Sequence, residues 1–235
     1  MQNNSNLVSV VMSAYNSEIT IAESIESILN QSYQNFEFLI IDDCSTDKTS
    51  EIVESYQKKN NNIKLIKNKT NLGLTKSLNI LIEKSSGQYI ARQDADDISL
   101  HHRVQEQMKI LKSDNLDFCT TRAIIKDSMK LRPGISSFLP KKAVLKFKNP
   151  FIHGTLLAKK TAINGIGNYD ENFYYAQDYK LFFDLLKYNY NFKVILKPHY
   201  ILNAKNNISE NKRMEQNYFA ECVRKKITPS KYLKG

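Results

Sequence analysis

The chain has 235 residues, 41% hydrophobic and 10% aromatic, enough to bury a sizeable core, which excludes wholesale disorder. Its 34 Lys and Arg against 24 Asp and Glu give a formal charge of +10, which suits a polyanionic neighbour: nucleic acid, an anionic membrane face or a phosphorylated substrate. No apolar run approaches the ~18 residues that span a bilayer, no signal-peptide core opens the chain, and the odd, widely spaced Cys44, Cys119 and Cys222 have no metal-ligand spacing, so the expected setting is the reducing cytoplasm.

In chain order, Leu7–Met12 reads as a short, buried, β-branched strand, and Ile21, Ile25, Ile28 and Leu29 then recur at helical spacing. Phe36–Ile41 is a second strand, followed by a helix with Ile52, Val53 and Tyr56 on one face. Ile63–Ile66 is a third strand, Leu74, Leu78, Leu81 and Ile82 stripe the next helix, and Gln88–Ala91 begins a fourth strand. This alternation implies an α/β fold with a mostly parallel sheet and helices on both faces, whose ligands sit outside the carboxyl ends of the strands. Further on, Val104, Met108 and Leu111 predict a helix, Phe118 a strand, Arg132–Pro140 a loop, His153–Ala158 a strand and Ala176–Tyr188 a helix. From Asn206 the chain turns polar and basic, with a helical stretch near Met214–Val223.

Four polar clusters fall where strands end or a late helix opens: Ser13-Ala14-Tyr15-Asn16, Asp42 to Asp47, Asp94-Ala95-Asp96-Asp97, and Gln177-Asp178. Singly, most have an ordinary explanation. Ser45, Thr46 and Asp47 suit turns and helix caps, and Asp178 suits a first helical turn. Asp94–Asp97 is different, because three carboxylates within four positions repel, by about 1 kcal/mol per close pair in water and ~4 at an effective dielectric of 20. A divalent cation such as Mg²⁺ or Mn²⁺ reverses that cost, taking one or two carboxylates and completing its shell with substrate phosphates.

The segments VSVVMSAYN, IIDDCSTDKT, NLGLTKSLN, GQYIARQDADDIS and AQDYKLFFDLL occur in that order. Together, across roughly residues 7 to 190, they resemble the family 2 glycosyltransferases of the GT-A fold, many of which build bacterial surface polysaccharides. The resemblance implies a catalytic domain over 1–205 with a basic, partly helical tail over 206–235. It also implies an inverting transfer from a nucleotide-sugar, with UDP favoured, to a saccharide or lipid-linked saccharide of lipopolysaccharide, capsule or exopolysaccharide. Ser13, Ala14, Tyr15 and Asn16 match the end of strand one that lines the nucleotide pocket, with Tyr15 against the base. Asp43 matches the acid that hydrogen-bonds the base, and Lys76 falls near a basic nucleotide contact. Asp94, Ala95 and Asp96 match the Asp-x-Asp motif, Asp96 foremost as ligand of Mn²⁺ or Mg²⁺. Asp178 matches the catalytic base, and His153 an acceptor-side histidine. Two departures stand out. Cys44 replaces a glycine common after the Asp pair, and Leu202 and Ala204 fill the places of an Arg-x-His element before Asn206-Asn207-Ile208-Ser209.

Two other readings share some of these features. A receiver-type signalling module also carries a Mg²⁺ site at strand ends, but it has no place for the Asp94–Asp97 cluster or the long second half. A basic nucleic-acid-binding protein would fit the charge, but no aromatic–basic interleaving or zinc motif supports it, so no nucleic-acid partner is expected. The charge, with Lys212, Arg213, Arg224, Lys225, Lys226, Lys231 and Lys234 near the end, also predicts peripheral contact with an anionic membrane, at the inner face of the cell membrane.

Overall fold

The computed structural model describes residues 6–203 and 212–230, apart from the side chain of Ile135. The first half runs β1 (Val8–Ala14), α1 (Ile21–Leu29), β2 (Phe36–Asp42), α2 (Thr49–Gln57), β3 (Ile63–Lys67), α3 (Leu74–Lys84) and β4 (Tyr89–Arg92). The second half adds β5 (Ile98–Ser99), α4 (Arg103–Ser113), β6 (Phe118–Ile125), β7 (Leu131–Arg132), α5 (Lys141–Val144), β8 (Leu157–Lys159), α6 (Lys160–Gly165), α7 (Gln177–Lys187), β9 (Phe192–Leu202) and α8 (Arg213–Lys225).

Side chains alternate across extended backbone, and both faces of this sheet are apolar. Val8, Val10, Met12 and Ala14 of β1 join one core with Phe36, Phe38 and Ile40 of β2, whereas Val11, Leu39 and Ile41 join the other. Ile21, Ile25 and Ile28 of α1, Val53 of α2 and Met108 of α4 cover the first face; Leu78 of α3, Ile163 of α6 and Phe182 of α7 cover the second. Each fully buried side chain of this size contributes about 1.5–3 kcal/mol. Phe219, Cys222 and Val223 of α8 are buried in the second core, so this helix packs on the body of the fold.

The sheet order is β3-β2-β1-β4-β8-β6-β9-β5, with β7 alongside β6. Strands β1 to β4 are mutually parallel, as the alternating pattern predicts. Beyond them β8 enters antiparallel to β4 and β6, and β9 returns parallel to β6. Two details correct the sequence reading. His153 does not begin a strand: His153–Thr155 is a 3-10 turn, and β8 starts only at Leu157. The loop expected over Arg132–Pro140 begins on the last residue of β7 and contains a 3-10 turn at Ile135–Phe138. The long β9 is not evident in the sequence; its Pro198 pairs with Arg122 where the β6–β9 register shifts, the place where a residue without an N–H is tolerated. Ala204 and Asn206–Ser209 lie outside the described residues, as do Lys231 and Lys234. No helix among the described residues is long and apolar enough to cross a membrane.

Candidate active site

Because β2, β1 and β4 are parallel neighbours, their carboxyl ends bring three of the polar clusters side by side. Ala14 stands opposite Asp42, and its carbonyl accepts the Asp43 N–H at 2.8 Å. Asn16, in the left-handed region at φ 48°, joins the loops after β1 and β2. Its N–H donates to Ser45 Oγ at 3.0 Å and its Oδ1 accepts the Thr46 N–H at 2.9 Å. Asp47 accepts the N–H groups of Glu18 and Thr49 at 3.0 and 2.9 Å, as expected of a residue beside a helix start. Cys44 adopts φ 66°, so the turn made for glycine persists with a side chain in it.

Asp43 is buried. Its Oδ1 accepts from Asn68 Nδ2 at 2.7 Å and the Leu72 N–H at 2.9 Å, and its Oδ2 accepts the Gly73 N–H at 2.8 Å. These bonds fix the loop that opens α3, where Gly73 takes φ 83° directly beneath the Tyr174 ring. Tyr15 and Tyr174 are each about half exposed. Burial raises the Tyr174 hydroxyl above its ordinary pKa, as do the nearby Tyr175, Asp43 and Tyr15. Tyr174 thus belongs to this end of the cleft. The sequence reading missed it; the signal available was the Tyr174-Tyr175 pair ahead of Gln177-Asp178. Ser13 is half-buried and Ala95 buried beneath the loops, while Lys76 stands exposed on the first turn of α3, tied to none of the other site residues by a hydrogen bond or ion pair.

The acidic motif rests on two buried arginines. Arg92 donates through Nη2 to Asp94 Oδ1 and through Nη1 to the carbonyl of Gln93. Arg103, fully buried, donates through Nη1 to the carbonyls of Arg92 (2.9 Å) and Gly154 (2.8 Å), and lies 5.4 Å from the Tyr200 ring centroid. The Tyr200 hydroxyl accepts the Asp94 N–H at 3.1 Å. Asp97 turns inward and accepts the Asn203 N–H at 2.7 Å; burial first, then Asp94 and Asp96, raises its carboxyl well above the ordinary range. Asp96 is half-buried. Burial first, then the Asp94 charge, pushes its carboxyl up to about 6, against an opposing pull from Arg92.

Gly154 lies against this cluster: a Cβ there would meet the Tyr200 hydroxyl and come within 2.7 Å of Asp94 Oδ2. Neither neighbour can yield without moving the motif. Gly154→Ala is therefore expected to cost about 1–3 kcal/mol, the range for overpacking. Thermal melts of wild type and variant check this; an unchanged melting temperature would show that Tyr200 and Asp94 can yield.

Asp178 sits in the first turn of α7 behind Ala176, itself left-handed at φ 52°. Asn149 Nδ2 donates to Asp178 Oδ2 at 2.7 Å, while Asn149 Oδ1 accepts the Phe151 N–H at 3.0 Å. Phe151 packs against Phe182 of α7 with ring centroids 4.4 Å apart, which pins the segment to the helix. Among the described residues nothing donates to Asp178 Oδ1. His153 Nε2 pairs with the Tyr169 hydroxyl at 2.7 Å. Although one edge is open, protein surrounds most of the imidazole. Burial and then Arg92 lower it to about 4, against opposing pulls from Asp94 and Asp178. His153 is thus a neutral ring within electrostatic reach of both carboxylates.

Among the described residues no three His, Cys, Asp or Glu side chains stand in metal-holding geometry. Asp94 and Asp96 nonetheless suit a hard divalent cation that draws its remaining ligands from a diphosphate: they offer carboxylate oxygens, and among the described residues Asp96 forms no ion pair.

The chain, with its parallel sheet, helices on both faces, acidic residues at its strand ends and a mixed second half, has the GT-A fold. Residues 9–179 match glycosyl transferase family 2, and the chain belongs to that family. It is 41% identical to EpsE of Bacillus subtilis (strain 168) over 165 residues, 69% of this chain and 59% of that protein. It is 30% identical over 183 residues to WfaP of Escherichia coli, a UDP-Glc:α-D-GlcNAc-diphosphoundecaprenol β-1,3-glucosyltransferase, covering 77% of this chain and 70% of that one. The structure of the mannosyltransferase PcManGT from Pyrobaculum calidifontis, in complex with GDP-Man and Mn²⁺, superposes with a TM-score of 0.73 at 18% identity, over 95% of this chain and 65% of that one. The chain spans about six-tenths of the length of EpsE.

Proposed function

We propose that the chain is the catalytic unit of an inverting glycosyltransferase. It would move a sugar from a nucleotide-sugar, a UDP-sugar by preference, to a saccharide or lipid-linked saccharide in surface-glycan synthesis. The observation that carries this reading is the segment 149–154, which touches both carboxylates: Asn149 Nδ2 donates to Asp178 Oδ2 at 2.7 Å, and a Cβ on Gly154 would come within 2.7 Å of Asp94 Oδ2. WfaP supports both the UDP donor and the diphospholipid acceptor by its own activity.

In this reading Tyr15 and Tyr174 flank the base, and Asp43, whose Oδ2 takes a single N–H, accepts from uracil. Asp94 and Asp96 would hold Mn²⁺ or Mg²⁺, which when bound neutralises charge growing on the departing diphosphate. Asp178 accepts the proton of the acceptor hydroxyl as its oxygen bonds to the anomeric carbon and the bond to the diphosphate breaks. Asn149 holds Asp178 Oδ2 and leaves Oδ1 for that proton. His153, its imidazole lowered to about 4, adds no positive charge that would hold the proton away from Asp178. The 1–205 unit acts in the cytoplasm, and the basic end of the chain, Lys212 to Lys234, brings it to an anionic membrane.

The test is a thermal-shift panel of UDP-, GDP- and dTDP-sugars with and without Mn²⁺, since a ligand bound only by the native state raises stability by RT ln(1 + [L]/Kd). A UDP-sugar should shift the melt, and more so with Mn²⁺. A protein indifferent to every nucleotide-sugar would overturn the reading.

A further inference from the structure

Away from the cleft, α5, the last turn of α7 and the end of α8 enclose a groove of about 510 Å³. Its floor is Leu145, Phe183 and Leu186, and its walls carry Lys142, Lys146, Lys187, Arg224 and Lys226. No carboxylate lines it. Among the described residues none of the five cations forms an ion pair. Lys142 Nζ reaches Asn189 Oδ1 at 2.9 Å and Arg224 Nη1 the Phe147 carbonyl at 3.3 Å, so two of them are tied to the rim.

Exposed lysines on a basic chain are ordinarily just solvated, and single exposed apolar side chains need no explanation. This surface differs in two ways. Five cations that form no ion pair among the described residues surround an apolar floor, where their mutual repulsion favours an anion. In addition, Phe147, Tyr188 and Ile227, each next in sequence to a groove cation, are 76%, 59% and 52% exposed. Basic groups interleaved with exposed aromatic and aliphatic side chains match the headgroup layer of a membrane, where cations meet phosphates and apolar tips enter the acyl boundary.

We propose that this face docks on the surface of an anionic bilayer, with headgroup phosphates among the five cations and Phe147, Tyr188 and Ile227 in the interfacial layer. The inference rests on the membrane contact proposed above and assigns it to the groove rather than to the charge of the chain end as a whole. Lys187 lies nine residues along α7 from Asp178, about 14 Å at the helical rise, so the docked face and Asp178 are at opposite ends of that helix.

Co-sedimentation of the full chain with vesicles of phosphatidylcholine, alone or mixed with phosphatidylglycerol, tests the proposal. Wild type should pellet only with the mixed vesicles, and less as salt rises. Lys146→Glu with Lys187→Glu should weaken binding at least about tenfold, and Phe147→Ser with Tyr188→Ser should weaken it with no change of charge. Lys58→Glu with Lys59→Glu, the same charge change at the end of α2, should bind like wild type. A normal UDP-induced thermal shift in each variant shows that it is folded. Mixed vesicles that bind wild type and both groove variants equally would overturn the groove assignment and leave the membrane contact standing. Wild type that ignores mixed vesicles overturns both, and wild type that binds RNA on a filter but no vesicle overturns them in favour of a different polyanion.

Discussion

Asp178→Asn should bind UDP and Mn²⁺ almost as wild type does and lose transfer by at least about 10²-fold, the low end for a general base. The amide keeps the shape of the carboxylate and can still face Asn149, whose Nδ2 holds Oδ2 at 2.7 Å; only the proton acceptor is gone. The loss should therefore fall on kcat, with little change in donor KM. In wild type, NMR of the product should show an anomeric configuration opposite to that of the donor, because one carboxylate serving as base leaves a single displacement. Retention would refute the mechanism. Near-normal turnover in Asp178→Asn would move the base elsewhere; His153 is the neighbour to test, although a ring lowered to about 4 is a weak base.

Asp96→Asn should fail differently. It should abolish the cation-dependent part of UDP stabilisation and most of the activity, yet raise the stability of the ligand-free protein at neutral pH. Burial and Asp94 lift the Asp96 carboxyl from 3.8 to about 6, so the folded state holds this proton more tightly than the unfolded chain does. Wild type thus loses stability as pH rises from about 4 to about 6, and the full loss persists above that. A tenfold difference in proton affinity between folded and unfolded chain is worth about 1.4 kcal/mol, and partial solvent access reduces the effect, so the gain for asparagine is at most about 3 kcal/mol above pH 6 and vanishes near pH 4. Paired melts of wild type and Asp96→Asn across that range measure it directly. A variant less stable than wild type at pH 7.5 would show that the ionised carboxylate is well accommodated. Full wild-type transfer in excess EDTA would remove the cation from the reaction.

How far the sequence revealed this arrangement depended on whether the cause was local. Strands β1 to β4 and the helices between them are marked by runs and stripes such as Phe36–Ile41 and Leu74, Leu78 and Leu81, each a property of one segment. Short polar clusters at strand ends mark Asp43, Asp94 and Asp96 in the same way, and a helix start marks Asp178. What stays hidden is assembled across long separations. Tyr200 meets the Asp94 N–H from 106 residues away, and Arg103 reaches Gly154 across 51. Asn149 lies 29 residues before the Asp178 it holds, in a segment of no regular period. His153 reads as strand because Phe151-Ile152 and Leu156-Leu157 are apolar, and the 3-10 turn between them is set by contacts, not by propensity.

Three side-chain-bearing residues that frame the cleft adopt the left-handed conformation: Asn16, Cys44 and Ala176. For a residue other than glycine this costs roughly 1–2 kcal/mol, less for asparagine. Selection in the laboratory for heat resistance would thus find glycine attractive at two of these places, with opposite side effects. At Cys44 the gain is compatible with turnover, because the neighbouring Asp43 is clamped by Asn68, Leu72 and Gly73. At Ala176 the same exchange would loosen the backbone that launches α7 and with it the aim of Asp178. Tolerance to heat and catalytic competence therefore part company at one residue of this cleft and travel together at the other.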